Sequence, residues 1–143
     1  VEISSRVGEL QPLRSTGLGK ALLLDADDAQ LREFYRCEKN SGQRYRVSES
    51  AWMRRMRDYA RRGCAFDLEE NEDRIRCVAA PVRDATGAIK AAISVSSAAQ
   101  YMDDKRMDAL TKDVCRAAAR ISRELGWDDV APRQGRKTSR KAA

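Results

Sequence analysis

The stretch from Ile75 to Ser97, IRCVAAPVRDATGAIKAAISVSS, constrains this chain more than any other part of it. Two runs of small and β-branched residues flank DATG, a turn signal, and together they read as a β-hairpin. With Asp84–Gly87 as a four-residue loop, Arg83 pairs with Ala88, Cys77 falls opposite Ser94, and Ile75 falls opposite Ser96. Side chains alternate between the faces of a strand, so Cys77, Ser94 and Ser96 share a face with Ile75, Ala79 and Ala92. Val78, Val82, Ile93 and Val95 point the other way. One face is then fully apolar, and the other carries a thiol and two hydroxyls among small side chains. A slip of one residue would exchange the faces, so the assignment depends on the turn. On the hairpin alone two readings stand: hydroxyls turned to water on a half-exposed sheet, or the polar lining of a site.

An apolar sheet face needs a cover. DDKRMDALTKDVCRAAARISRELGW repeats Met107, Leu110, Val114, Ala117 or Ala118, Ile121 and Leu125 at helical spacing, with Gly126 as the stop. This long helix is the expected cover, and the architecture is an antiparallel sheet with helices packed on it, an α+β fold. Upstream, SESAWMRRMRDYARRG predicts a helix capped by Ser48 or Ser50, with Trp52, Met53, Met56 and Tyr59 inward and Gly63 as the stop. Its arginines, Arg54, Arg55, Arg57, Arg61 and Arg62, are expected on the solvent side. DADDAQLREFYR predicts a helix from about Asp27 with Leu31 and Phe34 inward, followed by a polar loop in RCEKNSGQRYR. Cys64–Leu68 reads as a short strand and Glu69–Asp73 as an acidic loop. Asp67 stands just before that loop, either returning to the face of Cys77 or remaining a surface carboxylate. Residues 1–14 read as a short edge strand or an irregular segment.

STGLGKALLLD predicts a helix capped by Ser15 or Thr16 and running to Leu24. Two glycines at its entrance leave backbone N–H groups uncovered, and a helix start carries partial positive charge, which suits a small anion. The G-x-G spacing lacks the remainder of a dinucleotide or P-loop fingerprint.

Composition excludes several functions. The 143 residues suffice for one domain and a tail. The net charge of +6 suggests a nucleic-acid binder until it is located. Arg133, Arg136, Lys137, Arg140 and Lys141 supply five of those charges within residues 130–143, which hold no acid. Residues 1–127 are therefore expected to form a near-neutral domain and 128–143 a basic, disordered tail. The chain has no histidine, and its cysteines at 37, 64, 77 and 115 form no C-x-x-C pair, so neither zinc spacing nor a Cys–His dyad exists. No metal and no cofactor is expected. No segment reads as a membrane span or signal peptide, which places the expected protein in the cytoplasm, without a membrane partner.

STGLGKALL, RRGCAFDLEENEDRIRCVAAPVRDATGAIKAAISVS and AARISRELGW together resemble the C-terminal effector-binding domain of IclR-type bacterial transcriptional regulators, from about Val7 to Gly126. The resemblance implies a GAF-like fold, a curved antiparallel sheet with helices and a long C-terminal helix. It implies a sensor linked to a helix-turn-helix domain that binds promoter DNA, as in a repressor, and that works as a homodimer or homotetramer. It also implies that both the helix-turn-helix domain and the first strands of the sensor sheet lie upstream of Val1. In relatives that bind small oxo-acids, the ligand carboxylate meets backbone amides at the G-x-G-K helix entrance, and an Asp, a Cys and two Ser complete the pocket. On this chain the implied effector-binding residues are Gly17, Leu18, Gly19, Asp67, Cys77, Ser94 and Ser96. Many relatives carry His where this chain has Arg14, which either adds positive charge near the pocket or faces solvent.

The expected function is thus a ligand sensor for a small organic acid (oxo-, hydroxy- or aromatic) that modulates promoter binding by the linked domain. The alternative is a dimerisation or oligomerisation module with a vestigial pocket. An enzyme using Cys77 as nucleophile and Asp67 as base lacks an activating histidine, so no enzymatic activity is expected.

Overall fold

The computed structural model describes residues 6–40 and 45–129. Three short or medium helices come first: α1 (Gly17–Leu22), α2 (Asp28–Asn40) and α3 (Glu49–Arg62). The strands β1 (Ala65–Leu68), β2 (Ile75–Arg83) and β3 (Ile89–Ala98) follow, then a 3-10 turn (Ala99–Tyr101) and the long helix α4 (Asp104–Glu124). The strands form an antiparallel sheet in the order β1-β2-β3. The fold is α+β and GAF-like. No helix among the described residues is long and apolar enough to cross a membrane.

Local chemistry explains most boundaries. Thr16 caps α1 by accepting the Gly19 N–H, Ser48 caps α3 by accepting the Ala51 N–H, and Asp103 caps α4 by accepting the Arg106 N–H. Gly63 ends α3 in the left-handed region at φ 74°, which a residue with a Cβ adopts only at a cost. The helix α1 stops at Leu22, two residues earlier than its sequence predicts, and Leu23 and Leu24 are buried in the turn that follows. The helix α2 runs on to Asn40, through the first part of the expected loop. Among the described residues of 1–14 there is no strand. The expected tail lies outside the described residues from Val130 onward.

The sheet separates two apolar layers. Val78, Ala80 and Val82 pack beneath Met107, Leu110, Val114 and Ala118 of α4. On the opposite face, Ala65, Cys77 and Ala79 join a cluster with Ala21, Leu31, Tyr35, Trp52, Met53, Met56 and Tyr59 from α1, α2 and α3.

The hairpin corrects the register that its sequence predicts. Asp84 donates its N–H to the Ala88 carbonyl, so the loop holds three residues, Ala85–Gly87, with Gly87 at φ 81°. A bulge then leaves Lys90 unpaired, because Arg83 faces Ile89 while Val82 faces Ala91. Cys77 therefore lies opposite Ser96, not Ser94; Ser94 faces Ala79, and Ile75 faces Ala98. The shorter loop and the bulge each move the pairing by one residue, and together they restore the original side. Ser94 and Ser96 still share the face of Cys77.

Other departures concern individual faces. Phe34 is exposed, and Tyr35 takes the inward position on α2. Ile121 and Leu125 of α4 are exposed, while Ser122 is buried. Its hydroxyl accepts the Arg83 N–H at 2.9 Å beside the bulge and donates to the Ala118 carbonyl at 2.7 Å.

Candidate functional site

A polar row crosses the sheet on the side away from α4. Asp67 pairs with Cys77, and Cys77 pairs with Ser96, so the three stand abreast on β1, β2 and β3. Ser94 stands one step along, opposite Ala79. Asp67 and Cys77 are buried, and both serines are half-buried. The helix α1 lies on this row. A Cβ on Gly17 would come within 2.7 Å of Cys77 Sγ and 3.5 Å of Ala79 Cβ, so only a glycine lets the helix backbone rest there. Gly19 is needed for a different contact, since a Cβ would lie 2.4 Å from the Leu13 Cα. Leu18 points outward and is exposed. Of the amides at this helix entrance, that of Gly19 is already engaged by Thr16 Oγ1 at 3.0 Å.

Asp67 organises the loop beyond β1. Its Oδ1 accepts the N–H groups of Glu70 at 2.8 Å and Asn71 at 3.3 Å. Burial nonetheless raises its carboxyl above the ordinary range, outweighing those bonds and the attraction of Lys20. Burial also pushes the Cys77 thiol up, against smaller opposing hydrogen bonds from Ser96 and Ser94. The thiolate that nucleophilic chemistry requires is thus disfavoured.

Residues outside the implied effector-binding set surround this row. The Lys20 side chain is fully buried and donates to Glu70 Oε2 at 2.9 Å, and burial lowers its pKa despite that partner. Glu70 also accepts from Tyr45 at Oε2 and from Arg55 Nη1 at 2.8 Å through Oε1. Arg55 is therefore bound into this network, unlike its neighbours on the solvent side of α3. Arg14 does not face solvent. It is buried, its guanidinium lies 5.2 Å from the Tyr35 ring and 4.9 Å from the Tyr45 ring, and its Nη1 donates to the Tyr35 carbonyl. Its own carbonyl accepts from Trp52 Nε1 at 2.8 Å.

A cavity of about 740 Å³ opens beside the row and not over it, lined by Arg14, Tyr35, Tyr45, Glu70 and Asn71 among others. None of the seven implied effector-binding residues lines it. It connects to them through Asn71, whose N–H serves Asp67 and whose Oδ1 accepts the Ser15 hydroxyl at 2.8 Å. Among the described residues no cluster of His, Cys, Asp and Glu could hold a metal ion.

Residues 1–123 match the family model described as bacterial transcriptional regulator IclR C-terminal. The helix-turn-helix-type transcriptional regulator KdgR of Escherichia coli is 31% identical over 127 residues, covering 87% of this chain and 48% of that protein. The regulator BhcR of Paracoccus denitrificans is 34% identical over 130 residues, covering 89% and 44%. The chain thus spans about half the length of the curated relatives it matches. Among solved structures, the C-terminal domain of E. coli KdgR superposes with a TM-score of 0.67 at 28% identity, covering 81% of this chain and 72% of that one. The Agrobacterium tumefaciens repressor BlcR superposes with a TM-score of 0.76 at 24% identity, covering 87% and 51%, and supports the fold.

Proposed function

The chain belongs to the IclR family of bacterial transcriptional regulators, as their C-terminal domain, and from that premise we propose that it binds a small organic acid and thereby modulates a linked DNA-binding domain. The family regulates transcription and is not enzymatic. The observation that carries the proposal is the row of Asp67, Cys77 and Ser96 under the bare backbone of Gly17, polar groups converging within an otherwise apolar layer. In this reading the acid's carboxylate takes the first-turn amides of α1, led by Leu18, because the Gly19 amide already serves Thr16. Its oxo or hydroxyl group takes Asp67, Cys77, Ser94 and Ser96. A hydroxyl can donate or accept, and the Asp67 carboxylate can accept from a ligand hydroxyl, which suits an oxo- or hydroxy-acid. The regulator is cytoplasmic and a homodimer or homotetramer, and its promoter contacts are made by a helix-turn-helix domain outside this chain. The ligand acts only through a difference in affinity between the DNA-bound and free arrangements.

One observation favours the second reading, a dimerisation module with a vestigial pocket. The helix α1 rests directly on Cys77, and the cavity opens elsewhere. Isothermal titration with a panel of oxo-, hydroxy- and aromatic acids separates the two. Under the first reading one acid binds, and Ser94→Ala and Ser96→Ala each weaken it about two- to tenfold, the worth of a neutral hydrogen bond. Gly17→Val weakens it further. An acid that binds with the same affinity to all three variants sits elsewhere. No binding across the panel, from a chain that still dimerises, leaves the second reading.

A further inference from the structure

Two side chains beside the start of α1 reach the loop between β1 and β2, and both connections end on Asp67. Ser15 donates its hydroxyl to Asn71 Oδ1 at 2.8 Å, and Lys20 donates to Glu70 Oε2 at 2.9 Å. The backbone N–H groups of those two acceptor residues both donate to Asp67 Oδ1, at 2.8 Å from Glu70 and 3.3 Å from Asn71. The loop is held in shape at its ends. Glu69 and Arg74 both lie in the left-handed region, at φ 65° and 64°, and the Glu69 N–H donates to the Ile75 carbonyl at 3.2 Å. It is thus a strap that ties the row on the sheet to the helix resting on it. Its two fastenings differ. The side chains of Lys20 and Glu70 are 0% and 4% exposed, and Glu70 is held further by Arg55 and Tyr45. Asn71 is half-buried and stands at the edge of the cavity, so its bond to the buried Ser15 can be cut while the Lys20 fastening remains.

We propose that Ser15 and Asn71 are positioning residues of the candidate site, whose hydrogen bond sets the height of α1 above Asp67 and with it the length of acid the site accepts. This rests on the reading of the row as a ligand site. Over Cys77 the clearance is already minimal, since the backbone of α1 is admitted only by the missing Cβ of Gly17. The helix and the row are therefore two walls of one gap, and whatever ties the helix to the loop fixes its width. A short acid touches both walls only when the gap is narrow, whereas a longer one spans a wider gap. Cutting the bond between Ser15 and Asn71 costs the short acid and spares the long one. A general loss of folded protein would weaken both alike.

The test titrates the wild type, Ser15→Ala, Asn71→Ala and the double variant with two straight-chain 2-oxo-acids, pyruvate and 2-oxohexanoate, with thermal melting alongside. Each single variant is expected to weaken pyruvate about two- to tenfold, the worth of one neutral hydrogen bond, and so to raise the affinity ratio of 2-oxohexanoate to pyruvate. The double variant is expected to do no worse than either single one, because the bond can be lost only once. Amide exchange of the unliganded chain gives a second measure. The N–H groups of Gly19 and Lys20, which bond to Thr16 at 3.0 and 3.1 Å, should exchange severalfold faster in the variants while α4 is unchanged. An unaltered affinity ratio, or equal weakening of both acids that follows a fall in melting temperature, would overturn the proposal. If neither acid binds the wild type, the ligand reading fails, and the exchange of Gly19 and Lys20 still decides whether Asn71 positions α1. Asn71→Ala carries the test alone if Ser15→Ala fails to fold.

Discussion

The contact between Gly17 and Cys77 makes a specific prediction about pairs of residues. Gly17→Ala places a methyl 2.7 Å from Cys77 Sγ, and such overpacking costs about 1–3 kcal/mol. Cys77→Ala removes that sulfur. The double variant is therefore expected to be more stable than the sum of the single losses allows, by upwards of ~0.5 kcal/mol in a urea-denaturation cycle. Strict additivity would mean that α1 does not rest on the sheet at this point. Asp67 makes a prediction about pH. Its folded pKa is raised above the unfolded value of 3.8, so the folded state binds more protons as pH climbs through that window. Its contribution to stability is fully present below 3.8 and is lost as pH rises through the folded pKa. Asp67→Asn keeps an oxygen for the Glu70 and Asn71 N–H groups but cannot ionise, so denaturation midpoints measured from acid to neutral pH should fall for the wild type relative to the variant. Parallel curves for the two proteins would show that Asp67 is not responsible. Asp67 was legible as a candidate because it precedes an acidic loop and can alternate onto the face of Cys77. For Arg14 the sequence leaves a place near the pocket and a place in solvent both open, because the tyrosines that enclose its guanidinium are distant in the chain.

Among the elements, those whose signals agree were read correctly. The helix α3 carries a cap at Ser48, a stripe through Trp52, Met56 and Tyr59, and a stop at Gly63, and all three are used as expected. At the far end of α4 periodicity assigns Ile121 and Leu125 inward, whereas the Arg83 N–H beside the bulge selects Ser122. No helical pattern contains that donor. The turn from β1 to β2 hides a similar non-local fact. Its Glu70 draws donors from α1, α3 and the segment before α3, and its side chain is 4% exposed. Removing one member of a buried ion pair strands the other, at a cost of about 3–5 kcal/mol. Glu70→Ala strands the buried Lys20, while Tyr45 keeps the Arg14 carbonyl as acceptor, and should reach that range. Lys20→Met leaves Glu70 with Arg55 and Tyr45, and should cost clearly less. Equal losses in urea denaturation would show that Glu70 does not act as the shared acceptor.

At the scale of the described residues, the sheet is a partition between the apolar layer under α4 and the layer that holds the candidate site. Within β2, alternation alone puts Val78, Ala80 and Val82 on one side, the side under α4, whereas the matching side of β3 depends on the turn. The side facing α1 keeps the faces that alternation predicts because the shorter loop and the bulge each shift the pairing by one residue in the same direction, two in all. That bulge has a consequence for descent. Lys90 is the residue without a partner, so a lineage that loses it only straightens the strand, and Ala91 still faces Val82. A gain or loss within Ala85–Gly87 is likewise spent in the loop. Between Ala91 and Ser96, in contrast, one residue more or fewer carries a serine across to α4. Aligned copies of this hairpin should therefore vary in length at its tip and at Lys90, and keep a constant count from Ala91 to Ser96.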